Sequence, residues 1–388
     1  MGVTRRAGAA LIALAVAVAA GPSASAGVPV LTDNAFVIPG ANADSADSWA
    51  PDILKPLDPW ATDGPLVPLI NAHYYDCHGC TVTIIRYPRT AGPLFGPCAP
   101  FADESIAIGA GMVIDDLRDA EGPSVISGLS LGAMAADAAQ RALDADPSRP
   151  PASDVTFIAT GDPSRVTPLT TGIGSFLPVG FRIPVLGWTV ARPPSESAYD
   201  TVVVVGEYEW AADFPDRPWN LLADLNALVG FNYTHSEASL TDPADVPPEY
   251  IRTTTNSTGA TTTTYLVPTP EVPLLKPFDK ILAPSVIAAL NSVLKPIVDR
   301  GYSRYDTTTG NHSPYLQPTD GLPKLVMPSA PAGITLRAKT TEPAAAQDNS
   351  TDQRPTSGSR RPGFRGRADT PRRHPQRGSN AVSRPARL

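Results

Sequence analysis

Short β-branched runs alternate along the chain with Ala-rich stretches of helical period. Residues 35–38, 81–87, 124–127, 155–160 and 201–206 are apolar without strict alternation, as strands buried on both faces should read. Between the second and third runs, Ile106, Ala110, Val113, Ile114 and Leu117 recur at helical spacing and predict a helix over 103–120. An Ala-rich helix is predicted over 131–143, ending ahead of Pro147. Strand and helix in alternation predict an α/β fold with a mostly parallel central sheet and helices on both faces.

Three stretches break this rhythm. Residues 163–194 are rich in Pro and Gly and carry scattered large apolar side chains, among them Phe176, Phe181, Leu186 and Trp188. A connection this long and sticky reads either as a lid-like insertion lining a substrate or as a surface loop packing its own side chains. Residues 256–264 read as a Thr-rich loop, and 280–300 as a closing amphipathic helix interrupted by Pro284 and Pro296. No internal repeat is visible.

Both ends differ from the body. Arg5 and Arg6 precede an apolar run from Leu11 to Ala20 and the small-x-small triplet Ala24-Ser25-Ala26, the layout of an export signal over 1–26. Ten apolar residues fall short of the roughly 20 that a membrane span needs, so the mature chain is expected to start near Gly27 without a transmembrane span; an uncleaved anchor is the alternative. Residues 336–388 are dominated by Arg, Pro, Ser and Thr, a composition that cannot bury enough apolar surface to order itself. This tail holds twelve Lys and Arg against four acids, a net of +8. The whole chain carries −7, which leaves −15 on the rest. A basic tail on an acidic body suits contact with anionic lipid head groups or cell-wall polymers, or serves only to solubilise. Export to the medium or the cell envelope argues against nucleic acid as a partner.

The 27–335 segment is long enough for one domain with a sizeable core. Its three cysteines, Cys77, Cys80 and Cys98, suit a disulfide in an oxidising compartment better than zinc, because no second ligand pair stands at metal spacing. Spacing leaves the pairing open, and no metal or organic cofactor is expected.

The chemistry is concentrated at Gly128-Leu129-Ser130-Leu131-Gly132, a G-x-S-x-G pentapeptide directly after one predicted strand and directly before a helix. Side chains at Gly128 and Gly132 would collide with the strand and helix packed around the turn, so both must stay small. Ser130 is then held out at the C-terminal edge of the sheet, and the N–H of Leu131, at a helix N-terminus, points where an oxyanion would form. A serine needs a histidine to take its proton and an acid to orient that histidine, in the chain order Ser, acid, His for this fold. His73 and His78 precede the serine and His374 lies in the tail. His235 is favoured over His312, which sits in a polar Thr-Gly-Asn stretch. Beyond the 201–206 strand, Glu209 and Asp213 are the leading acids, Glu207 stands behind them, and Asp162 is an alternative one strand earlier. The second oxyanion donor is expected from the loop after the first strand, at Gly40 and Ala41.

These residues, with others in order along the chain, resemble the PE-PPE domain, a serine α/β-hydrolase family similar in layout to cutinases. The resemblance runs from about Ala35 to Tyr302 through Val37-Ile38-Pro39-Gly40, Tyr87-Pro88, the serine elbow, Gly161-Asp162-Pro163-Ser164-Arg165 and Ala212-Asp213-Phe214-Pro215. Its most specific part reaches on to Asn220-Leu221-Leu222-Ala223-Asp224-Leu225-Asn226-Ala227. It implies an α/β-hydrolase fold with Ser130 as nucleophile, His235 as base and the acid within 208–213. Where the family usually has Tyr-Asp, this chain has Tyr208-Glu209, so both Glu209 and Asp213 stay open as the acid. The resemblance would also place a helical PE or PPE module ahead of the domain; a signal-like segment stands there instead, so the secretion partners of those modules are not expected.

The resulting expectation is an exported serine esterase or lipase hydrolysing acyl esters through an acyl-enzyme. One alternative is transfer of the acyl chain to a sugar or lipid hydroxyl of the envelope, as in glycolipid acyltransferases similar to this family. The other is an envelope-binding protein that keeps the fold without turnover.

Overall fold

Seven strands form the central sheet: β1 Asn34–Ile38, β2 Thr81–Ile84, β3 Ser124–Leu129, β4 Val155–Thr160, β5 Thr201–Gly206, β6 Ile251–Thr255 and β7 Thr261–Val267. Their order across the sheet is β6-β7-β5-β4-β3-β1-β2, and every pairing is parallel except the β6–β7 hairpin at one edge. The computed structural model describes residues 29–42 and 64–306, with the backbone of a two-residue strand pair at Leu316–Gln317 and Lys324–Leu325. The signal-like segment 1–26, His312 and the tail 336–388 lie outside the described residues.

The sheet is buried because its strands are apolar on both sides. Phe36, Ile38, Ile126 and Phe157 pack under α1 (Ala102–Arg118) and α2 (Leu131–Ala145) on one face. Ala35, Val125, Ile158 and Val204 point to the opposite face, where Tyr74, Ala238 and Val246 meet them. Short 3-10 turns at Ala72–Tyr74 and Glu237–Leu240 help to cover this second face. The architecture is the mixed α/β, hydrolase-like fold that the strand–helix alternation predicts.

Some sequence expectations shift. The run at 81–87 is a strand only as far as Ile84. Thr261–Val267 is a strand, not a Thr-rich loop; it pairs with β5 on one side and β6 on the other. Thr reads as loop by polarity, but its branched Cβ favours extended strand, and Thr253 and Thr263 share a cross-strand hydroxyl contact of 3.0 Å. Residues 232–234 form the last turn of α3 (Leu221–Thr234), and His235 is its C-cap. The closing helix is α4, Pro284–Asp299, with Pro284 in its first turn and Pro296 inside it. Within 163–194 the chain forms a 3-10 turn at Ile173–Phe176 and a two-residue hairpin, Arg182–Ile183 with Trp188–Thr189. Phe176 and Trp188 are buried, while Phe181 and Val185 are exposed. Cys77 and Cys80 form the disulfide and Cys98 is free and exposed.

Arg304 and Tyr305 close on the loop that follows β5. Arg304 donates both guanidinium ends to Asp213, at 2.6 and 2.8 Å. Asp213 in turn accepts the backbone N–H of Tyr208 at 2.8 Å. Glu207 accepts the N–H of Thr269 at 2.6 Å and the hydroxyl of Tyr305. Burial pushes the Glu207 carboxyl from its ordinary 4.5 up to about 7, although Arg304 and Lys295 pull it back down.

That shift couples folding to pH. Between about pH 4.5 and 7 the folded chain holds a proton on Glu207 that the unfolded chain has released, so this group's contribution is complete below pH 4.5 and is lost as pH rises through 7. In urea unfolding measured across that range, Glu207→Gln is expected to remove a decline on the order of 2–3 kcal/mol relative to the parent. Parallel curves for the two proteins would contradict it.

Candidate active site

The backbone at Ser130 is strained: φ is 54° and ψ −116° in a residue with a side chain, a conformation that costs about 1–3 kcal/mol. Its surroundings hold it there. The N–H of Ser130 donates to Thr160 O at 2.7 Å, and its carbonyl accepts from Met134 N at 3.1 Å in the first turn of α2. A Cβ at Gly132 would lie 2.0 Å from Ile38 O, and one at Gly128 would lie 2.4 Å from Gly132 O. Neither position admits a side chain, as the pentapeptide predicts.

Gly40 lies beside the serine; a Cβ built on it would stand 3.2 Å from Ser130 Cβ. The carbonyls of this loop are turned away and anchored: Pro39 O accepts from the Tyr87 hydroxyl at 2.6 Å and Gly40 O from Arg89 Nε at 2.7 Å. Asn42 N donates to Arg89 O at 2.8 Å. Gly40, Ala41 and Leu131 thus border one space with Ser130. The N–H of Leu131 belongs to the first turn of α2, where backbone donors have no intrahelical partner.

His235 reaches the same space from the end of α3. Its ring is 3% exposed and stacks on Phe231 with centroids 4.4 Å apart. Nδ1 lies 3.1 Å from Glu209 Oε2, off the line of a hydrogen bond, and neither ring nitrogen has a hydrogen-bond partner among the described residues. The ring fits because Gly161, at φ +65°, has no Cβ; one there would stand 2.6 Å from His235 Cε1.

Glu209 is fully buried and its carboxylate accepts the N–H groups of Ala211 and Ala212, at 2.7 and 2.6 Å. These two bonds curl the longer glutamate side chain back over its own loop and leave Oε2 toward the imidazole. Asp213 faces the other way, onto Arg304, and burial, opposed by that guanidinium, raises its carboxyl. Asp162 is likewise committed elsewhere: its carboxylate accepts Ser164 N at 2.8 Å and lies 3.1 Å from Arg165 Nε. Of the acids singled out in the sequence, Glu209 is the one placed at His235, and Asp213 is a support for the loop that carries it.

Ser130 and His235 open onto a cavity of about 410 Å³. Its walls are mainly apolar: Leu94, Phe95, Met134, Leu186, Trp188 and Trp210 all contribute. Leu186 and Trp188 come from the 163–194 segment, which therefore lines the site. Pattern reading missed Arg89 and Asn71. Asn71, at φ 59°, donates to Ser127 Oγ (3.0 Å) and accepts from Thr160 Oγ1 (2.6 Å), which ties the 67–74 segment beneath the serine turn. Neither stands in a motif; the nearest signal was Tyr87-Pro88.

Comparison with known proteins agrees with this layout. The PE-PPE domain matches residues 78–303, from just before β2 to the residue ahead of Arg304. The PPE family protein PPE63 of Mycobacterium tuberculosis is 39% identical over 287 residues, 73% of this chain and 57% of PPE63. The SL1278 acyltransferase Chp1 is 36% identical over 76% of this chain and 70% of its own length, and the diacyltrehalose acyltransferase Chp2 is 40% identical over 47% and 52%, both from the same organism. The esterase PE16 of that organism is 31% identical over 52% of this chain and 38% of its own. The chain spans less than two thirds of PPE63. With that match covering more than half of its residues, the chain belongs to the PE-PPE domain family.

Proposed function

We propose that this protein handles acyl esters of lipids through a covalent acyl-enzyme on Ser130, passing the acyl group to a hydroxyl acceptor. The observation that carries the reading is one buried constellation: a strained, cavity-facing serine, an imidazole bordering the same cavity, and a carboxylate 3.1 Å from that imidazole. In this reading His235 Nε2 takes the proton of Ser130 as Oγ attacks the ester carbonyl. The N–H of Leu131 and a backbone N–H of the Gly40–Ala41 loop hold the oxyanion. Collapse expels the first alcohol, which leaves with the proton from His235. The acceptor then gives its own proton to His235 and attacks the acyl-enzyme, and collapse frees Ser130, whose Oγ takes that proton back from His235. Glu209, 3.1 Å from Nδ1, orients the imidazolium.

Two observations favour an alkyl-chain substrate and an organic acceptor. Aliphatic and aromatic side chains line the cavity, and a water-poor site favours transfer over hydrolysis. The two relatives named as acyltransferases are also more identical to this chain than the esterase is. Hydrolysis is the second reading, supported by that esterase. The export signal and the basic tail further suggest that the chemistry takes place in the cell envelope or outside the cell.

A fluorophosphonate probe is expected to label the full chain, and Ser130→Ala to abolish both labelling and turnover of a soluble ester, by at least about 10³-fold. Well-folded protein that takes no label would leave the non-catalytic binder standing. Glu209→Gln is expected to lower kcat/KM by about 10²–10⁴-fold without unfolding the chain, whereas Asp213→Asn lowers the urea midpoint and changes kcat/KM by less than about tenfold. The reverse ranking would make Asp213 the acid. Product analysis with a long-chain acyl ester, with and without trehalose as acceptor, separates the two readings: a new acyl-trehalose that grows at the expense of free acid supports transfer, and free acid alone supports hydrolysis.

A further inference from the structure

The outer surface of α3 and α4 is unusually apolar. Along α3, Leu221, Leu225 and Leu228 are 75%, 48% and 55% exposed, at the i, i+4, i+7 spacing that puts side chains on one stripe. The next position of that stripe is Asn232, which lines the cavity. The stripe therefore leads along the helix to the mouth of the site. On α4 the same spacing aligns Val286, Leu290, Val293 and Ile297, all exposed, beside the stripe of Ile287 and Val298 that is buried against the body. The two helices are tied where the start of α3 meets the end of α4, with Asn220 Nδ2 donating to Ile297 O at 2.7 Å.

Charge is kept off both stripes. The one charged residue of α3, Asp224, is half-buried on the flank. The two of α4, Lys295 and Asp299, contact each other at 3.2 Å and both engage the hydroxyl of Tyr208. A helix that is apolar on its outer as well as its inner side needs a second apolar surface to cover it. Protein interfaces draw on aromatic, Met and Arg side chains at their centres, but these stripes are Leu, Val and Ile. The aromatic residues stand at the ends of α3, exposed Trp219 ahead of it and exposed Tyr233 in its last turn, an arrangement that suits a hydrocarbon–water boundary.

We propose that the exposed stripes of α3 and α4 seat on the surface of a lipid layer, so that an acyl chain passes from the layer into the cavity without crossing water. This deepens the acyl-transfer reading and rests on it for the identity of the passenger, but the seating itself does not require turnover. No helix among the described residues is long and apolar enough to cross a membrane; the helices lie on the layer.

The test uses the full chain with uncharged phosphatidylcholine vesicles at high salt, which suppresses any contribution of the basic tail. The parent and Ser130→Ala are both expected to co-float with vesicles. Leu225→Glu combined with Val293→Glu is expected to lower partitioning by at least about tenfold, to cut turnover of a vesicle-embedded long-chain ester in parallel, and to keep turnover of a soluble short-chain ester within about twofold. The single substitutions Leu225→Glu and Val293→Glu, each with its own soluble-ester rate, read the two helices separately and identify any variant that has lost its fold. A parent that does not float, or variants that float as well as the parent, overturns the proposal. So does a dimer seen by sedimentation that the double variant dissociates, because a second copy then covers the face. Vesicle binding without turnover of either ester would instead count against the acyl-enzyme and leave the docking surface intact.

Discussion

A single cramped turn sets the geometry of the whole site. β3 must hand over to α2 with no room for a side chain at Gly132, where Ile38 O sits within 2.0 Å of the place a Cβ would occupy. That contact is between the end of β1 and the first turn of α2, so the serine turn and the loop after β1 fix one another. Ser130 adopts its strained φ because Thr160 O, at the end of the other neighbouring strand, holds its N–H. Three adjacent strands thus converge on one residue, and a sheet buried on both faces supplies the rigidity that the strain requires.

His235 and Glu209 depend on different elements. β5 delivers Glu209 on a loop closed by two backbone N–H bonds, and α3 ends with His235 packed on Phe231 and over Gly161. Asp213 and Arg304 fasten that loop from behind. A glutamate is one methylene longer than the aspartate usual at this position in the family. Here its extra length is taken up by curling onto Ala211 and Ala212, so the carboxylate still meets Nδ1. Neither imidazole nitrogen has a hydrogen-bond partner among the described residues.

Around this centre the apolar surface is continuous in kind. The cavity wall, the inserted 163–194 segment and the outer stripe of α3 all present hydrocarbon. The two charged residues of α4, Lys295 and Asp299, turn to the hydroxyl of Tyr208. α3 and α4 are thus apolar toward the buried cluster of Val272, Leu275, Ile287 and Val298 and also on their outer stripes.

The sequence by itself determined the parallel sheet, the serine turn and the residue types that could serve it. Each of these rests on local pattern: apolar runs of strand length, and small residues at fixed offsets around Ser130. The choice among Glu209, Asp213, Glu207 and Asp162 belonged to the tertiary structure alone, since all four stand at strand ends and only packing decides which carboxylate meets an imidazole and which an arginine. The pairing of Cys77 with Cys80, the strand at Thr261–Val267 and the part of Arg89 in holding Gly40 O were decided in the same way. Each depends on a neighbour distant in sequence or on a backbone direction, and neither is written in the spacing of residue types along the chain.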